Sequence, residues 1–357
     1  MKIFTLVSAF YFFFFAIIGV YVIYLPKVLD LLGYSSVQIG FIFALSPLMR
    51  FLTPFFFLKH FSLDAKIYRL SLLLAMVAGV LIFMTINNFY LFVIPNILLG
   101  ISFALSLPYV ETIALQKIGK EHYGKARLFG SIGFILIALA LAKFMDDPKY
   151  ALWFLFISIL FTALLGWPLA KIEAQKERVS GKFDLLSHWP LWINLFLMQV
   201  SFGPFYNFFT IYEKEHGLDY STISYLWTFG VIAEIFMLYF QGPLLKRDLL
   251  KILQACTAIT AIRWLLLHFF PTNIPLLYFA QSLHAFSFAL YYTAAISYLF
   301  AIYPNKTLAQ QFFGGVSFGL GGMVGSFLAG LFYGEYLYLY ASSVAFLATV
   351  VLFIRKT

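Results

Sequence analysis

The chain has 357 residues, of which 62% are hydrophobic, 21% aromatic and only 11% charged. That is more apolar surface than a soluble core of this length can bury, so a water-soluble domain is excluded and an integral membrane protein is expected. The net charge of +9 falls in short turns between apolar runs, where it marks membrane topology rather than nucleic-acid binding, and the single cysteine, Cys256, excludes an internal disulfide or a cysteine metal cluster.

Lys2 precedes an apolar run over 4–25 that is longer than the core of a secretory signal and ends in Tyr24-Leu25-Pro26-Lys27 with no small-residue cleavage site. It is predicted to be the first membrane helix. Eleven further segments of helix length follow, at about 38–58, 67–86, 91–115, 127–145, 151–170, 190–212, 222–241, 252–270, 275–300, 309–333 and 335–354. Most connections are under about a dozen residues, so neighbours are predicted to pack as antiparallel helices. Eighteen of the 24 Lys and Arg residues lie at the termini and in the even-to-odd turns, against Lys27, Lys143, Lys149 and Lys214 on the other side. Both termini are therefore expected in the cytoplasm, with the chain in the cytoplasmic (inner) membrane.

An internal repeat appears at an offset of 184 residues: Gly33 and Gly217, Phe129-Gly130 and Phe313-Gly314, and Ala151 and Glu335 correspond. The fold class expected is an all-α membrane protein of twelve transmembrane helices in two pseudo-symmetric six-helix bundles, 1–170 and 190–357, joined by a charged cytoplasmic linker over 171–189. Arg50 maps onto Glu234 and Arg127 onto Gln311. Packing needs the symmetry and an asymmetric ligand does not, so unrepeated charges on a repeated scaffold are candidates for ligand contact.

Ionic residues inside apolar segments cost about 2.5–3.5 kcal/mol each even on the most lenient scale, and so need a partner or a function. Glu111 closes segment 4 and Arg127 opens segment 5. Arg127 and Ser131 share a helix face, and a guanidinium there suits a substrate carboxylate; the alternative is that Arg127 reaches out to the headgroups. Glu111 is open to three readings: neutralising Arg127, binding a hydroxyl or taking up a proton. Arg50, Glu234 and Arg263 lie too deep to reach water easily and are assigned to coupling or gating. His284 shares a face of segment 10 with Gln281, Ser287 and Tyr291, where it either relays a proton or is a satisfied core residue. Gln199, Tyr206, Asn207 and Thr210 form a polar stripe on segment 7 that is expected to line a cavity. The glycine cluster of segment 11 lacks the preceding strand of a dinucleotide loop and reads as close helix packing. No HExxH, GxSxG or Walker lysine is present, and His60, His122, His188 and His216 are scattered over different loops, so an enzyme is not expected and no metal site is assigned.

Pro108-Tyr109-Val110-Glu111 followed by Gly124-Lys125-Ala126-Arg127-Leu128-Phe129-Gly130 resembles the segment 4 to 5 signature of the lactose permease (oligosaccharide:proton symporter) family in the major facilitator superfamily. With Tyr225-Leu226-Trp227, Glu234 and Arg263-Trp264, the chain is more similar to the phenylpropionate transporter branch. The resemblance implies the major facilitator fold, substrate contact at Glu111 and Arg127, and a proton-coupling network at Arg263 and His284. It also marks departures. Phe134 stands where the permeases stack a tryptophan on sugar, Ser287 replaces the glutamate expected three residues after the histidine, Glu234 sits one turn late, and Phe202 replaces the segment 7 aspartate. Between segments 2 and 3 only Asp64, Lys66 and Arg69 match the superfamily pattern.

The function expected is a secondary active transporter, importing a small organic solute with protons by alternating access, with an aromatic or other organic acid favoured. Arg127 would be the anion clamp and Phe134 a stacking surface. A sugar or nucleoside proton symporter and a proton-driven exporter of apolar compounds are the alternatives, and a membrane-embedded enzyme or a non-transporting receptor the rivals from other classes. The partners expected are solute, proton and lipid bilayer, with no nucleic acid and no cofactor beyond the proton gradient, and the chain acting as a monomer.

Overall fold

The computed structural model describes residues 3–60, 63–145, 147–172 and 184–354. Most of the expected linker, 173–183, lies outside them. Among the described residues there is helix and no strand. The twelve-segment expectation holds: among the described residues ten helices are long and apolar enough to cross a membrane, from Ile3–Leu31 to Leu308–Leu331. The other two segments are segment 12, Leu337–Val351, and segment 7, which is two helices, Trp189–Ser201 and Gly203–Glu215. Large side chains such as Met84, Tyr90, Phe236 and Tyr239 are exposed, as lipid-facing residues of a membrane protein must be.

Contacts divide the chain into two compact units, Met1–Glu177 and Arg178–Thr357. Within the first, segment 1 packs on segments 5 and 6, segment 3 on 4 and 6, and segment 2 on 4. Within the second, segment 7 packs on 11 and 12, segment 9 on 10 and 12, and segment 8 on 10. The pairings are the same one half-chain apart, which is the repeat read in three dimensions.

Local chemistry repeats too. Asp64 and Asp248, 184 residues apart, each accept the amide hydrogens two and three residues on and so start segments 3 and 9. Asp219 starts segment 8, and hydrogen bonds from Thr222 hold its carboxyl below the usual carboxylate range. Gly33 and Gly217 have φ of 84° and 92°, a left-handed conformation that glycine alone adopts at no steric cost. Each closes the preceding helix with the same pair of backbone bonds: Tyr34 N to Leu29 O and Gly33 N to Asp30 O in one unit, Leu218 N to Glu213 O and Gly217 N to Lys214 O in the other.

Two features were not read from hydropathy. Segment 5 begins at Lys120 rather than near 127, because its first two turns, KEHYGKA, are helical but charged. Arg127 therefore lies two turns inside its helix rather than at its start. Segment 7 breaks at Phe202, where Pro204 lacks an amide hydrogen and crowds the preceding turn. The matching place in segment 1, Val20–Tyr24, is a π-helical stretch. At the break Gly203 lies so close to segment 11 that a Cβ there would be 2.1 Å from the carbonyl oxygen of Gly325.

Candidate functional site

Among the described residues each unit holds a cluster of ionic side chains within its spans that includes residues singled out from the sequence. In the first unit, segment 4 runs as an α-helix to Ile113, widens into a π-helical turn over Ala114–Ile118 and stops at Gly119, whose φ is 86°. Segment 5 then returns alongside it, so Glu111 and Arg127 meet across the turn. Arg127 Nη1 donates to Glu111 Oε1 at 2.9 Å, and the Tyr123 hydroxyl donates to the same oxygen at 3.3 Å. The guanidinium lies over the rings of Phe15 and Tyr11 on segment 1, 4.4 and 5.3 Å from their centroids. The pair is about one-third exposed, Arg127 35% and Glu111 28%, so other groups can reach it.

Of the other residues assigned to this unit, Ser131 is half-buried one turn beyond Arg127. Phe134 is half-buried on the same helix and lies against Gly19 of segment 1, where an added Cβ would touch its ring at 3.5 Å. Arg50 is half-buried in segment 2, next to Met49, whose Cβ would be 2.9 Å from a Cβ built on Gly100 of segment 4.

In the second unit the cluster is deeper. Arg263 has 0% relative exposure. Its Nη1 donates to His284 Nδ1 at 2.9 Å and to Ser287 Oγ at 3.0 Å, and its Nη2 donates to Gln281 Oε1 at 2.9 Å. All three acceptors lie on segment 10, in and just before its π-helical stretch Ala285–Leu290. A guanidinium has only donors, so Nδ1 of His284 must be the unprotonated nitrogen. The ring hydrogen is then on Nε2, which faces Glu234 Oε2 at 3.7 Å. Segment 8 comes this close because Gly230, one turn before Glu234 on the same face, leaves room for Gln281; a Cβ there would be 3.2 Å from Gln281 Oε1. Glu234, His284 and Arg263 thus line up as a polar relay, hydrogen-bonded between Arg263 and His284 and with a 3.7 Å gap between His284 and Glu234, and Gln281 and Ser287 fix the cation.

Among the described residues no carboxylate pairs with Arg263. Aromatic faces take that place: Phe205, Trp264 and Phe202 lie 4.4, 4.7 and 5.8 Å from the guanidinium carbon. The resemblance leads one to expect an aspartate at position 202, and a ring face stands there instead. His284 is further held by stacking on Phe288, with ring centroids 5.2 Å apart.

The segment 7 stripe is divided by the break at Phe202. Gln199 is buried on the first helix, while Asn207 donates to Ser326 Oγ at 2.7 Å and Thr210 accepts from Trp227 Nε1 at 3.4 Å on the second. Asn207 and Thr210 therefore join segment 7 to segments 11 and 8, and Tyr206 is half-buried beside them. Sequence reasoning passed over Tyr11, Phe15 and Tyr123 around Arg127, and Glu213, which is wholly buried near the end of segment 7. The repeat offset carried a signal for the last, since it sets Glu213 opposite Leu29. Among the described residues no group of three or more His, Cys, Asp or Glu is placed to hold a metal ion.

A helical membrane fold repeated in two units, with ionic clusters kept inside the spans, defines a membrane transporter of the major facilitator type. The solved structure of the nucleoside transporter NupG has the same fold, with a TM-score of 0.79 over 99% of this chain and 100% of that one at 14% identity. The chain belongs to the MFS_1 like family, whose model matches residues 4–342. Among sequence relatives it is 25% identical to the probable 3-phenylpropionic acid transporter of Escherichia coli (strain K12), a match that spans 58% of this chain and 58% of that protein. It is 24% identical to the uncharacterized transporter YwbF of Bacillus subtilis (strain 168), over 87% of this chain and 82% of the relative.

Proposed function

We propose that this chain is a proton-coupled secondary transporter that imports a small organic anion, an aromatic acid for preference, by alternating access. It works in the cytoplasmic membrane with both termini inside, as a monomer, and draws on the proton gradient with no cofactor. The observation that carries the substrate class is the setting of Arg127: a guanidinium flanked by two aromatic faces and held by one carboxylate oxygen. A substrate carboxylate can replace Glu111 on that cation with bidentate geometry, and an aromatic body has the half-buried Phe15 ring to lie against, Tyr11 being fully buried behind the guanidinium. The similarity to a probable phenylpropionic acid transporter agrees with this choice.

Proton coupling is assigned to Glu234 and His284. Glu234 faces the protonated nitrogen of a histidine whose other nitrogen is occupied by Arg263. Protonation of Glu234 changes the charge balance next to a buried cation, which is the kind of event that shifts a two-state equilibrium. A nucleoside or sugar symporter is the second reading, favoured by the fold match to NupG.

The test is uptake into proteoliposomes with an imposed inward proton gradient, using labelled 3-phenylpropionate, benzoate, maltose and uridine in parallel. Accumulation of an aromatic acid that collapses with a protonophore, and falls at least tenfold in Arg127→Ala, is expected. Accumulation of maltose or uridine alone refutes the anion reading; binding with no accumulation of any solute refutes transport by this route.

A further inference from the structure

Glu213 lies in the last turn of segment 7, at 0% relative exposure. Among the described residues neither of its carboxylate oxygens has a hydrogen-bond partner. An ionised carboxylate in that state has lost its water and gained nothing, whereas the neutral acid loses far less.

The repeat shows what the niche is made for. Leu29 occupies the same place in the first unit, 184 residues earlier, with the same 0% exposure and the same backbone bond from the residue after the left-handed glycine. The scaffold there accepts an apolar side chain, and the second unit puts an acid into it. Among the described residues no cation pairs with Glu213. Of the elements packed on this helix, Trp189–Ser201, Gly322–Leu331 and Leu337–Val351 carry no charged residue, and Tyr220–Phe240 carries only Glu234, which lies beside His284. Tyr338, with a hydroxyl that is also buried without a partner, is the titratable group facing from Leu337–Val351. On segment 9, Arg263 sits over Phe205, two helical turns from Glu213, and at the adjoining helix end Lys214 lies over Tyr220 at 4.6 Å while Glu215 accepts from Tyr333 at 2.6 Å.

We propose that Glu213 is a proton-binding site of the transport cycle, held as the neutral acid in the conformation seen here and ionised when the end of segment 7 opens to water. The inference rests on the proton-coupled reading above and adds a second carboxyl to it, at the end of segment 7 opposite the cytoplasmic start of that segment in the proposed topology. The reaction is proton exchange alone: the acid O–H bond breaks, the proton passes to water, and a solvated carboxylate remains.

Two measurements test it on the full-length protein. Infrared spectroscopy of wild type at neutral pH should show the carbonyl stretch of a protonated carboxylic acid that is lost in Glu213→Met, a neutral side chain of similar length. Uptake of whichever panel solute wild type accumulates should fall on the alkaline side of its midpoint by up to roughly a hundredfold per pH unit with two carboxyls in play, and by only roughly tenfold in Glu213→Gln, where Glu234 remains, with Glu213→Asp restoring the steeper dependence. A protonated-acid band that is absent from wild type, or unchanged in Glu213→Met, overturns the proposal, and so does a Glu213→Gln protein with the wild-type pH profile. Wild type that shows no pH-driven uptake defeats the proton-coupled reading instead, and the infrared band then decides whether Glu213 holds a proton.

Discussion

Replacing Arg263 with lysine separates the charge at this position from its geometry. Arginine sends three hydrogen bonds from one planar fork to His284, Ser287 and Gln281, at 2.9–3.0 Å. Hydrogen bonds to charged groups contribute about 1.5–3 kcal/mol each, and a buried acceptor left without its donor costs about 1–3 kcal/mol. A lysine ammonium at the end of a single stem reaches one or two of these acceptors, so one to two bonds are lost and the gross loss is about 2–6 kcal/mol. Relaxation, and the cation that still lies over Phe205, recover part of it. We expect a net loss of about 2 kcal/mol, which corresponds to roughly thirtyfold in rate if it falls on the step that carries the network between states. The assay is the initial rate of uptake in proteoliposomes made from Arg263→Lys protein that elutes as a single folded species, beside Arg263→Met, which removes the cation and its three bonds together. Transport by Arg263→Lys within threefold of wild type would refute the reasoning, because it would mean that only the charge is used.

Glu111→Gln removes the competitor for Arg127 while leaving a hydrogen-bond acceptor. Because the pair is about one-third exposed, the stability change should stay below about 1 kcal/mol; an anionic solute should bind several-fold more tightly in equilibrium dialysis, with a neutral solute unaffected. Gly203→Ala places a methyl 2.1 Å from a backbone oxygen and should destabilise the second unit by about 1–3 kcal/mol in a thermal melt, whereas Gly242→Ala, with no atom within 4 Å, should leave the melt unchanged.

The fold was legible because membrane constraints are severe. A bilayer fixes the length of each apolar run and forces its backbone to close on itself, so composition and turn charge carry most of the architecture. The boundaries that hydropathy misplaced are those where a helix continues through charge, as at Lys120–Lys125, since a hydropathy window sees lipid contact and not backbone hydrogen bonding. The break in segment 7 had a visible cause in Gly203-Pro204, but its effect on the polar stripe depends on which way each half turns. The pairing of Glu111 with Arg127 follows from a short connection. The aromatic surroundings of both arginines do not: with 45 Phe and 23 Tyr in the chain, nothing local marks which rings face a cation.

What separates chemistry from scaffold here is the failure of the repeat. Segments 3 and 9 start on matched aspartates and run the same length, yet Arg263 falls opposite Gly79, where a Cβ would already be 3.1 Å from Phe156. Arg50 falls opposite Glu234, Arg127 opposite Gln311 and Leu29 opposite Glu213. If these ionic residues served packing, the equivalent niche in the other unit would need the same solution, since the helices around it pair in the same way. Instead a glycine, a leucine or a glutamine suffices opposite Arg263, Glu213 and Arg127, and opposite Arg50 the charge is reversed. The ionic side chains are therefore not required by the architecture, and a membrane keeps such groups only where something else is gained. In the proposed transporter the two units then divide the work: the first offers a cation that an anionic solute can take over from Glu111, and the second holds a buried cation whose neighbouring acids respond to protons. A single mutation tests the division most simply at Arg127, where loss of solute binding should leave the pH response of the second unit intact.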